Sequence, residues 1–347
     1  MQYKVLIIGD TWNGSDCTGL ARGFRDAGCV VVHVGEDQFF PKVTNNFLSK
    51  IFLRCFKFFF KYNLNKNICN LYKISKPEIV VVFKGNHLSL ETVKYLKKNS
   101  WVVNFYPDIS LTNHSSVDVK TFYEYDHIFS TKSFATKDYS KNMGIKNVSF
   151  LPHGFDEYVH SPISKKYMND WHNDVSFIGT WSKEKENKLN ALKLRLPNIN
   201  IKIWGNGWEK NSSRCLKESI MGYPVTGDLY ALAINCSKIN LGLLQEKATG
   251  ASSGDLTTAR SFHIPGSGGF MLHERSDEII SFYEEDSEIS CFSSIDDLVS
   301  KVNFYLKNDT KREEMAKLGY LRCIKENKHK NRAEIILKNF EKRLLND

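Results

Sequence analysis

An arginine and a histidine stand one helical turn apart in the segment TTARSFHIPGSGGFMLHE, residues 257–274. The preceding loop, TGASSGDL, has small residues that let backbone amides approach a ligand closely. Thr257 and Thr258 favour a helix N-terminus, and the free N–H groups there bind anions. Arg260 on the first turn could grip a phosphate with two hydrogen bonds, and His263 follows on the same face. The pattern predicts a diphosphate site; a capped helix with a solvated arginine is the alternative.

A glycine followed by lysines forms a second candidate phosphate site. Gly179 ends the strand-like run DVSFI, and Lys183, Lys185 and Lys188 follow at a predicted helix start. One of these ammonium groups could meet a phosphate as a point charge, although an exposed basic helix is the simpler explanation for any single lysine. Further along, the run WGNGW predicts a strand and a tight turn, where Trp204 could wall a pocket or pack in a core.

Two residues of the N-terminal half lie where cleft residues of a parallel-sheet protein belong. Asp108 follows the strand-like run NFY, and its carboxylate could act as a general base or cap the next turn. His153, in LPHGFD, could contact a ligand or hydrogen-bond a hinge. The run GDTWNGSDCTGLARGF indicates a strand, a loop and a helix, but it lacks the GxGxxG spacing of a dinucleotide site. Its loop could hold an acceptor instead.

Short β-branched runs alternate with longer amphipathic runs, a pattern typical of parallel sheets covered by helices. The predicted strands are residues 4–8, 30–34, 79–83, 101–106, 127–130, 148–151, 174–178, 199–204, 239–243 and 269–272. The predicted helices are residues 19–27, 90–98, 135–143, 185–194, 229–235, 295–307 and 311–326, and a last amphipathic run, NRAEIILKNFEKRLL, predicts one more.

The length of 347 residues exceeds one ordinary core, so two domains are expected. We place an N-terminal domain at residues 1–155, a linker at 156–172 and a C-terminal domain at 173–330. Two doubly wound domains that face a central cleft would bind ligands at the carboxyl ends of their strands.

The composition, 41% hydrophobic and 25% charged, is typical of a soluble globular protein. The net charge of +9 favours anionic partners, but no nucleic-acid-binding motif is evident, so nucleic acid is not an expected partner. No run approaches the roughly 18 apolar residues of a membrane span, and the N-terminus does not resemble a signal peptide. The eight cysteines are scattered without a CxxC pair, which favours free thiols in the cytosol.

One segment, FLSKIFLRCFKFFFKYNLNKN at residues 47–67, is unusually basic and aromatic. Its phenylalanines and leucines alternate with Lys50, Arg54, Lys57 and Lys61, and it contains no acidic residue. A helix of this kind lies in the lipid headgroup region, so residues 47–63 are a candidate membrane contact. A helix packed on the N-terminal sheet, with solvated lysines, is the alternative.

Several runs, in this order, resemble the CgeB-like (spore maturation protein-like) family of bacterial glycosyltransferases. The resemblance is carried by YDHIFSTKSF, LPHGFD, DVSFIGT, IKIWGNGW, ARSFHIPGSGGFMLHE and NKHKNRAEIIL, and it spans nearly the whole chain. It implies the GT-B fold: two Rossmann-like domains, with a C-terminal helix at residues 331–347 that packs back on the N-terminal domain. It also implies sugar transfer from a nucleoside-diphosphate sugar without a bound metal, in agreement with the lack of a convincing DxD motif.

The resemblance assigns roles to individual residues. The diphosphate would be bound by Arg260, Thr257, Thr258, Ser253, Gly254 and Lys185, the last at a position where the family usually has arginine. Gly179 is grouped with this site. The segment 223–226, with Tyr223 and Val225, would meet the nucleobase, and Trp204 is grouped with it.

His263 departs from the family pattern, which usually has glutamate at this position. That glutamate corresponds to the second acid of the E-x7-E motif of retaining enzymes, where it binds ribose hydroxyls, and Asp255 matches the first acid. A neutral histidine can make one ribose hydrogen bond but cannot engage both hydroxyls as a carboxylate does.

We therefore expect a cytoplasmic glycosyltransferase, with no metal or cofactor, that uses a UDP-sugar or another nucleoside-diphosphate sugar. Its acceptor would be a cell-surface glycan or a lipid-linked precursor, met at the inner face of the cytoplasmic membrane. The candidate catalytic residues are Asp108, His153, Asp16 and His114. An inverting reaction would need a base, for which Asp108 is the first candidate, followed by Asp16 and His114; the Asp255–His263 spacing favours retention. A non-catalytic GT-B-like coat protein and a nucleotide-sugar epimerase are the alternatives.

Overall fold

The computed structural model describes residues 2–40, 47–111, 117–163 and 171–345. The chain divides into two compact units. The N-terminal unit consists of residues 1–153, 247–253 and 329–347, and the C-terminal unit consists of residues 154–246 and 254–328.

The N-terminal unit is built on a six-stranded parallel sheet of order β2-β1-β3-β4-β5-β6. The strands are β1 (Lys4–Gly9), β2 (Val30–Gly35), β3 (Ile79–Phe83), β4 (Trp101–Tyr106), β5 (His127–Ser130) and β6 (Val148–Phe150). The runs VLII and IVVVF of β1 and β3 are continuously apolar, as expected for strands that are covered on both faces.

Helices cover both faces of this sheet and form two separate cores. They are α1 (Asp16–Asp26), α2 (Phe47–Ser75), α3 (Leu90–Leu96), α4 (Ala135–Met143) and α12 (His329–Leu344). Leu64 and Ile68 of α2 belong to one core, whereas Phe24 of α1 and Phe340 of α12 belong to the other. The C-terminal helix therefore packs on the N-terminal unit, as the predicted fold requires.

Helix α2 is buried only along its second half. From Leu64 onward it contributes to the core, but its first four turns expose a set of large apolar side chains: Phe47, Ile51, Phe52, Phe56, Phe58, Phe59 and Tyr62. Arg54 and Lys57 are exposed on the same half. In the described part of the chain, no helix combines the length and apolarity needed to cross a bilayer.

The C-terminal unit has a five-stranded parallel sheet of order β11-β10-β9-β7-β8. The strands are β7 (Asn173–Ile178), β8 (Ile201–Trp204), β9 (Ser237–Gly242), β10 (Met271–Glu274) and β11 (Ser290–Phe292). The helices are α5 (Lys183–Arg195), α6 (Trp208–Asn211), α7 (Asp228–Asn235), α8 (Arg260–Gly266), α9 (Asp277–Phe282), α10 (Ile295–Leu306) and α11 (Asp309–Glu326).

Both sheets reverse their strand order at one point, as in doubly wound folds. The reversal lies between β1 and β3 in the N-terminal unit and between β7 and β9 in the C-terminal unit. Loops at the carboxyl ends of these strand pairs form the crevices in which such folds bind ligands. The predicted fold class, two Rossmann-like parallel-sheet domains, is confirmed.

Candidate functional site

Arg260 lies at the strand reversal of the C-terminal sheet. It is the first residue of α8, and its Nη2 donates to the Leu243 carbonyl just after β9 at 2.6 Å. Its Nη1 lies 3.4 Å from the carbonyl of Ile178, the last residue of β7, and the guanidinium stacks over Phe177, 5.2 Å from the ring centre. The buried Nε has no hydrogen-bond partner among the described residues. The side chain is thus fixed at the crevice, and its Nε–H remains available as a donor.

Gly179 makes room for this guanidinium. A Cβ at position 179 would lie 2.8 Å from Nη1 of Arg260 and 2.9 Å from the Phe177 ring. Any larger residue would therefore push Arg260 out of its position between the two strand ends. Gly179 thus lies directly beside the Arg260 guanidinium.

The predicted capping role of the two threonines is wrong. The N-cap of α8 is Ala259, which makes no side-chain capping hydrogen bond. The hydroxyl of Thr257 instead donates to Glu278. The N–H of Thr258 donates to the hydroxyl oxygen of Ser261, whereas the hydroxyl of Thr258 is buried without a partner in the described structure. Because the helix begins later than predicted, neither side chain is engaged by its N-terminus.

Lys185 is the second cation of the crevice. Ser182 caps α5, and the Lys185 side chain, only 3% exposed, donates to Gln245 Oε1 and to the Thr180 carbonyl. Burial, followed by repulsion from Arg260, lowers the pKa of Lys185 to about 8, against a smaller opposing effect of Glu246 and Asp255. Two cations that destabilise each other away from water form a site that an anion would stabilise.

The loop before α8 divides between the two units. Gly254 and Asp255 belong to the C-terminal unit, where the Asp255 N–H donates to the Gln245 carbonyl and its carboxylate acts electrostatically on Lys185. Ser253 belongs to the N-terminal unit. There, Ser110 donates to the Thr249 carbonyl and the N–H of Ser252 donates to Asp138, at 2.8 and 2.7 Å. The placement of Ser253 in the donor domain was therefore wrong, because residues 247–253 are tied to α4 and to the loop after β4.

The predicted base-binding residues occupy different environments. Tyr223 is exposed, and its carbonyl accepts from the N–H of Gly205 at the end of β8. Val225 is buried in the core of the C-terminal unit. Trp204 is completely buried and stacked on Trp171, 5.9 Å between ring centres. Trp204 consequently cannot wall an open pocket, and that prediction is corrected.

His263 lies in an aromatic cluster inside the C-terminal unit. Its ring stacks on His160 with 3.9 Å between centres, and Tyr230 packs edge-on against both rings. The position is buried. The residue that departs from the family pattern is thus held flat against a second histidine, which the sequence did not single out.

In the N-terminal unit, the structure brings together two of the predicted catalytic residues. His153 Nδ1 lies 2.6 Å from Asp16 Oδ2, at the start of α1. His329, the first residue of α12, lies 3.3 Å from the other oxygen of Asp16 through its Nε2. The sequence analysis missed His329, and its only signal was a place in the NKHKNRAEIIL run. A carboxylate bound to an imidazole is the arrangement that orients a histidine as a general base.

The other two catalytic candidates do not join this cluster. Asp108 forms an ion pair of 2.6 Å with Lys84, which follows β3. His114 lies outside the described residues. Asp10 and Glu36 follow β1 and β2, and burial is the main cause that raises the pKa of each. Repulsion from Asp37 adds to the rise for Asp10, and repulsion from Asp10 adds to the rise for Glu36, against an opposing effect of Lys84. The carboxyl edge of the N-terminal sheet is accordingly rich in acidic groups.

Residues 184–338 match the family model described as glycosyl transferase-like. No curated protein sequence is significantly similar to the chain. This match covers α5 through most of α12 and therefore includes Lys185 and Arg260.

Many solved structures are similar to the chain, including the following three, which cover essentially all of it. Sucrose-phosphate synthase from Thermosynechococcus elongatus has a TM-score of 0.67 at 9% sequence identity, with 100% of both chains covered. Anabaena HepE in complex with UDP-glucose has a TM-score of 0.64 at 9% identity, covering 98% of this chain and 100% of HepE. A UDP-N-acetylglucosamine 2-epimerase from Listeria monocytogenes, described as putative in its title, has a TM-score of 0.56 at 12% identity, covering 100% and 98%.

At these identities the structural similarity establishes the fold. The chain therefore has the GT-B fold, and its residues 184–338 match a glycosyl transferase-like family model.

Proposed function

We propose that the protein is a glycosyltransferase that takes its sugar from a nucleoside-diphosphate sugar, with a UDP-sugar favoured. The observation that carries the proposal is the pair of cations, Lys185 and Arg260, at the strand reversal of the C-terminal sheet. The match of residues 184–338 to a glycosyl transferase-like family supports the reaction class. The UDP-glucose bound to HepE supports a uridine nucleotide. The resemblance to CgeB-like glycosyltransferases is part of the same proposal.

The two cations would act on the leaving group. Negative charge grows on the diphosphate as the glycosidic bond breaks, and donors fixed in place beforehand stabilise that charge most effectively. Arg260 is fixed by two strand ends and Lys185 by Gln245. We infer that this positive charge replaces that of a metal ion, so that transfer needs neither a metal nor a cofactor.

The stereochemical course is part of the proposal. The Asp255–His263 spacing favours retention, in which the leaving phosphate itself can take the acceptor proton. If the reaction instead inverts, an acceptor base is required. The His153–Asp16 pair is then the favoured base, because its imidazole is already held by a carboxylate, whereas Asp108 is engaged by Lys84.

The acceptor is proposed to be a cell-surface glycan or a lipid-linked precursor, reached at the inner face of the cytoplasmic membrane. The support is the first half of α2, where exposed phenylalanines accompany Arg54 and Lys57 without an acidic residue. In that segment the cationic positions 50, 54, 57 and 61 follow the spacing of one helical stripe. A helix with a basic stripe beside exposed aromatics suits an anionic lipid surface.

A thermal-shift panel of nucleotides and nucleotide sugars tests the donor assignment. We expect UDP or another nucleoside diphosphate to raise the melting temperature of the wild type and to have little effect on Arg260→Ala. The matched control is Arg214→Ala, an exposed arginine of the same unit, which should respond like the wild type. No response of the wild type to any nucleotide would refute the donor site and favour the non-catalytic alternative.

An epimerase is the second candidate, because the Listeria protein described as a putative epimerase shares the fold over the full chain. The two functions differ in their need for an acceptor. UDP-N-acetylglucosamine incubated with the protein alone should stay unepimerised if the protein is a transferase. Formation of the 2-epimer without an acceptor would establish the epimerase instead.

A further inference from the structure

The C-terminal helix contacts both members of the His153–Asp16 pair from one of its turns. His329 and Arg332 stand three residues apart at the start of α12, so their side chains lie on the same face. His329 reaches the Asp16 carboxylate with Nε2, 3.3 Å from Oδ1. Arg332 donates from Nε to the carbonyls of Pro152 and His153, at 3.2 and 3.0 Å. One residue therefore holds the carboxylate and the other holds the backbone of the histidine.

All of these groups are shielded from water. His153 is 6% exposed, His329 is 3% exposed and Arg332 is 4% exposed. Hydrogen bonds to charged groups that water cannot reach are stronger and more restrictive than the same bonds at a surface. The contacts of α12 can therefore fix the position of the pair.

Two glycines of α1 allow α12 to come this close. A Cβ at Gly19 would lie 2.3 Å from the His329 ring, and a Cβ at Gly23 would lie 2.5 Å from the carbonyl of His329. Because these glycines are four residues apart on α1, they form one smooth stripe. The first turn of α12 lies along that stripe, which places His329 beside Asp16, the first residue of α1.

We propose that α12 is the positioning element of the His153–Asp16 pair, with His329 and Arg332 as its positioning residues. In this role His329 keeps one carboxylate oxygen occupied, so that the other oxygen points at Nδ1 of His153. Arg332 prevents the chain at residues 152–153 from moving away. A catalytic role for the His153–Asp16 pair rests on the proposed function, whereas the contacts of α12 with the pair are independent of it.

The test is a spectroscopic one on the folded protein and needs no substrate. A buried Nδ1–H shared with a carboxylate at 2.6 Å gives a downfield imidazole proton resonance in NMR that exchanges slowly with water. We expect this resonance in the wild type and its loss in Asp16→Asn, which identifies it. His329→Leu should lose it through exchange with water. His329→Gln should retain it, because the glutamine amide can donate a hydrogen bond to Asp16.

The exposed α12 residue Lys338 supplies the control variant Lys338→Gln, which should match the wild type. If His329→Leu does not fold, the variants Arg332→Lys and Arg332→Met are compared instead. We expect the downfield resonance to be retained in Arg332→Lys and lost in Arg332→Met. Retention of the resonance in both apolar variants, or its absence from the wild type, would overturn the proposal. Failure of the proposed function would appear separately, as a wild type that keeps this resonance but binds no nucleotide.

Discussion

At the scale of residues, Lys185 is the most informative side chain of the candidate donor site. It is a buried ammonium whose charge is opposed by Arg260 as well as by desolvation. A bound anion stabilises the protonated form of such a group, because its negative charge offsets the repulsion from the neighbouring cation. The affinity of the site for diphosphate should therefore depend on the protonation of Lys185.

This dependence has a definite sign. Lys185 attracts diphosphate only while it is protonated. The affinity for UDP is therefore highest at pH values well below the Lys185 pKa of about 8, and it falls as the pH rises through that value. The fall can reach about tenfold per pH unit. The terminal phosphate, with a second pKa near ~6, stays ionised over the same range. Calorimetric titrations of UDP between pH ~7 and ~9 measure the effect.

Lys185→Arg is the matched control for this titration. Arginine keeps its charge throughout this pH range, so the affinity of the variant should be nearly constant. An equal decline in the wild type and in Lys185→Arg would show that another group is responsible.

His263 offers a second test at this scale. A carboxylate can accept hydrogen bonds from both ribose hydroxyls, and each additional bond contributes about 1 kcal/mol, or roughly fivefold in affinity. His263→Glu should therefore raise the preference for UDP over 2′-deoxy-UDP by about this factor. His263→Gln, of equal length but uncharged, is the control. An unchanged preference in His263→Glu would separate this position from the ribose.

At the scale of elements, the first half of α2 exposes large apolar side chains beside Arg54 and Lys57. We expect the protein to bind vesicles that contain phosphatidylglycerol and to bind pure phosphatidylcholine vesicles weakly. Each cation near an anionic surface contributes about 1 kcal/mol, so the double variant Arg54→Gln/Lys57→Gln should bind about 30-fold more weakly. Co-sedimentation at low salt measures this change.

Two further variants separate apolar from electrostatic binding. Phe58→Ser removes the side chain that is 82% exposed on the first half of the helix and should also weaken binding. Ile74→Ser, at the other end of α2 and 78% exposed, should not. If all these variants sediment like the wild type, α2 is not the membrane contact.

The elements themselves were largely predictable. Strands such as β1 and β3 are apolar runs bounded by polar residues. Continuous apolar runs of this length are typical of parallel strands that are buried on both faces. The six-residue α9 was not predicted, because a run this short carries little periodicity. The three-residue β11 was not predicted either. The start of α8 was predicted one or two residues early, since two threonines are a stronger local capping signal than the alanine that occupies the cap.

At the scale of the whole molecule, contacts between segments distant in the chain determine which residues come together, and local sequence patterns do not predict these contacts. Arg260 was identified from a local pattern and Lys185 through the family resemblance, but their shared crevice depends on β7 and β9 being neighbours. His329 is 313 positions away from Asp16 in the chain, and no local pattern connects them. The assignment of residues 247–253 to the N-terminal unit likewise depends on partners as distant as Ser110. Candidate residues could be predicted from the sequence, whereas their grouping in space could be seen only in the structure.

The central claim, that Lys185 and Arg260 bind the diphosphate of a nucleotide donor, is tested most directly by calorimetry with two ligands and three proteins. UDP and uridine differ only in the diphosphate, so their affinity ratio isolates that group. We predict a large ratio for the wild type and a ratio at least about tenfold smaller for both Arg260→Ala and Lys185→Met, with uridine binding itself little changed. A ratio that is the same in all three proteins, or an equal loss of UDP and uridine binding, would contradict the account.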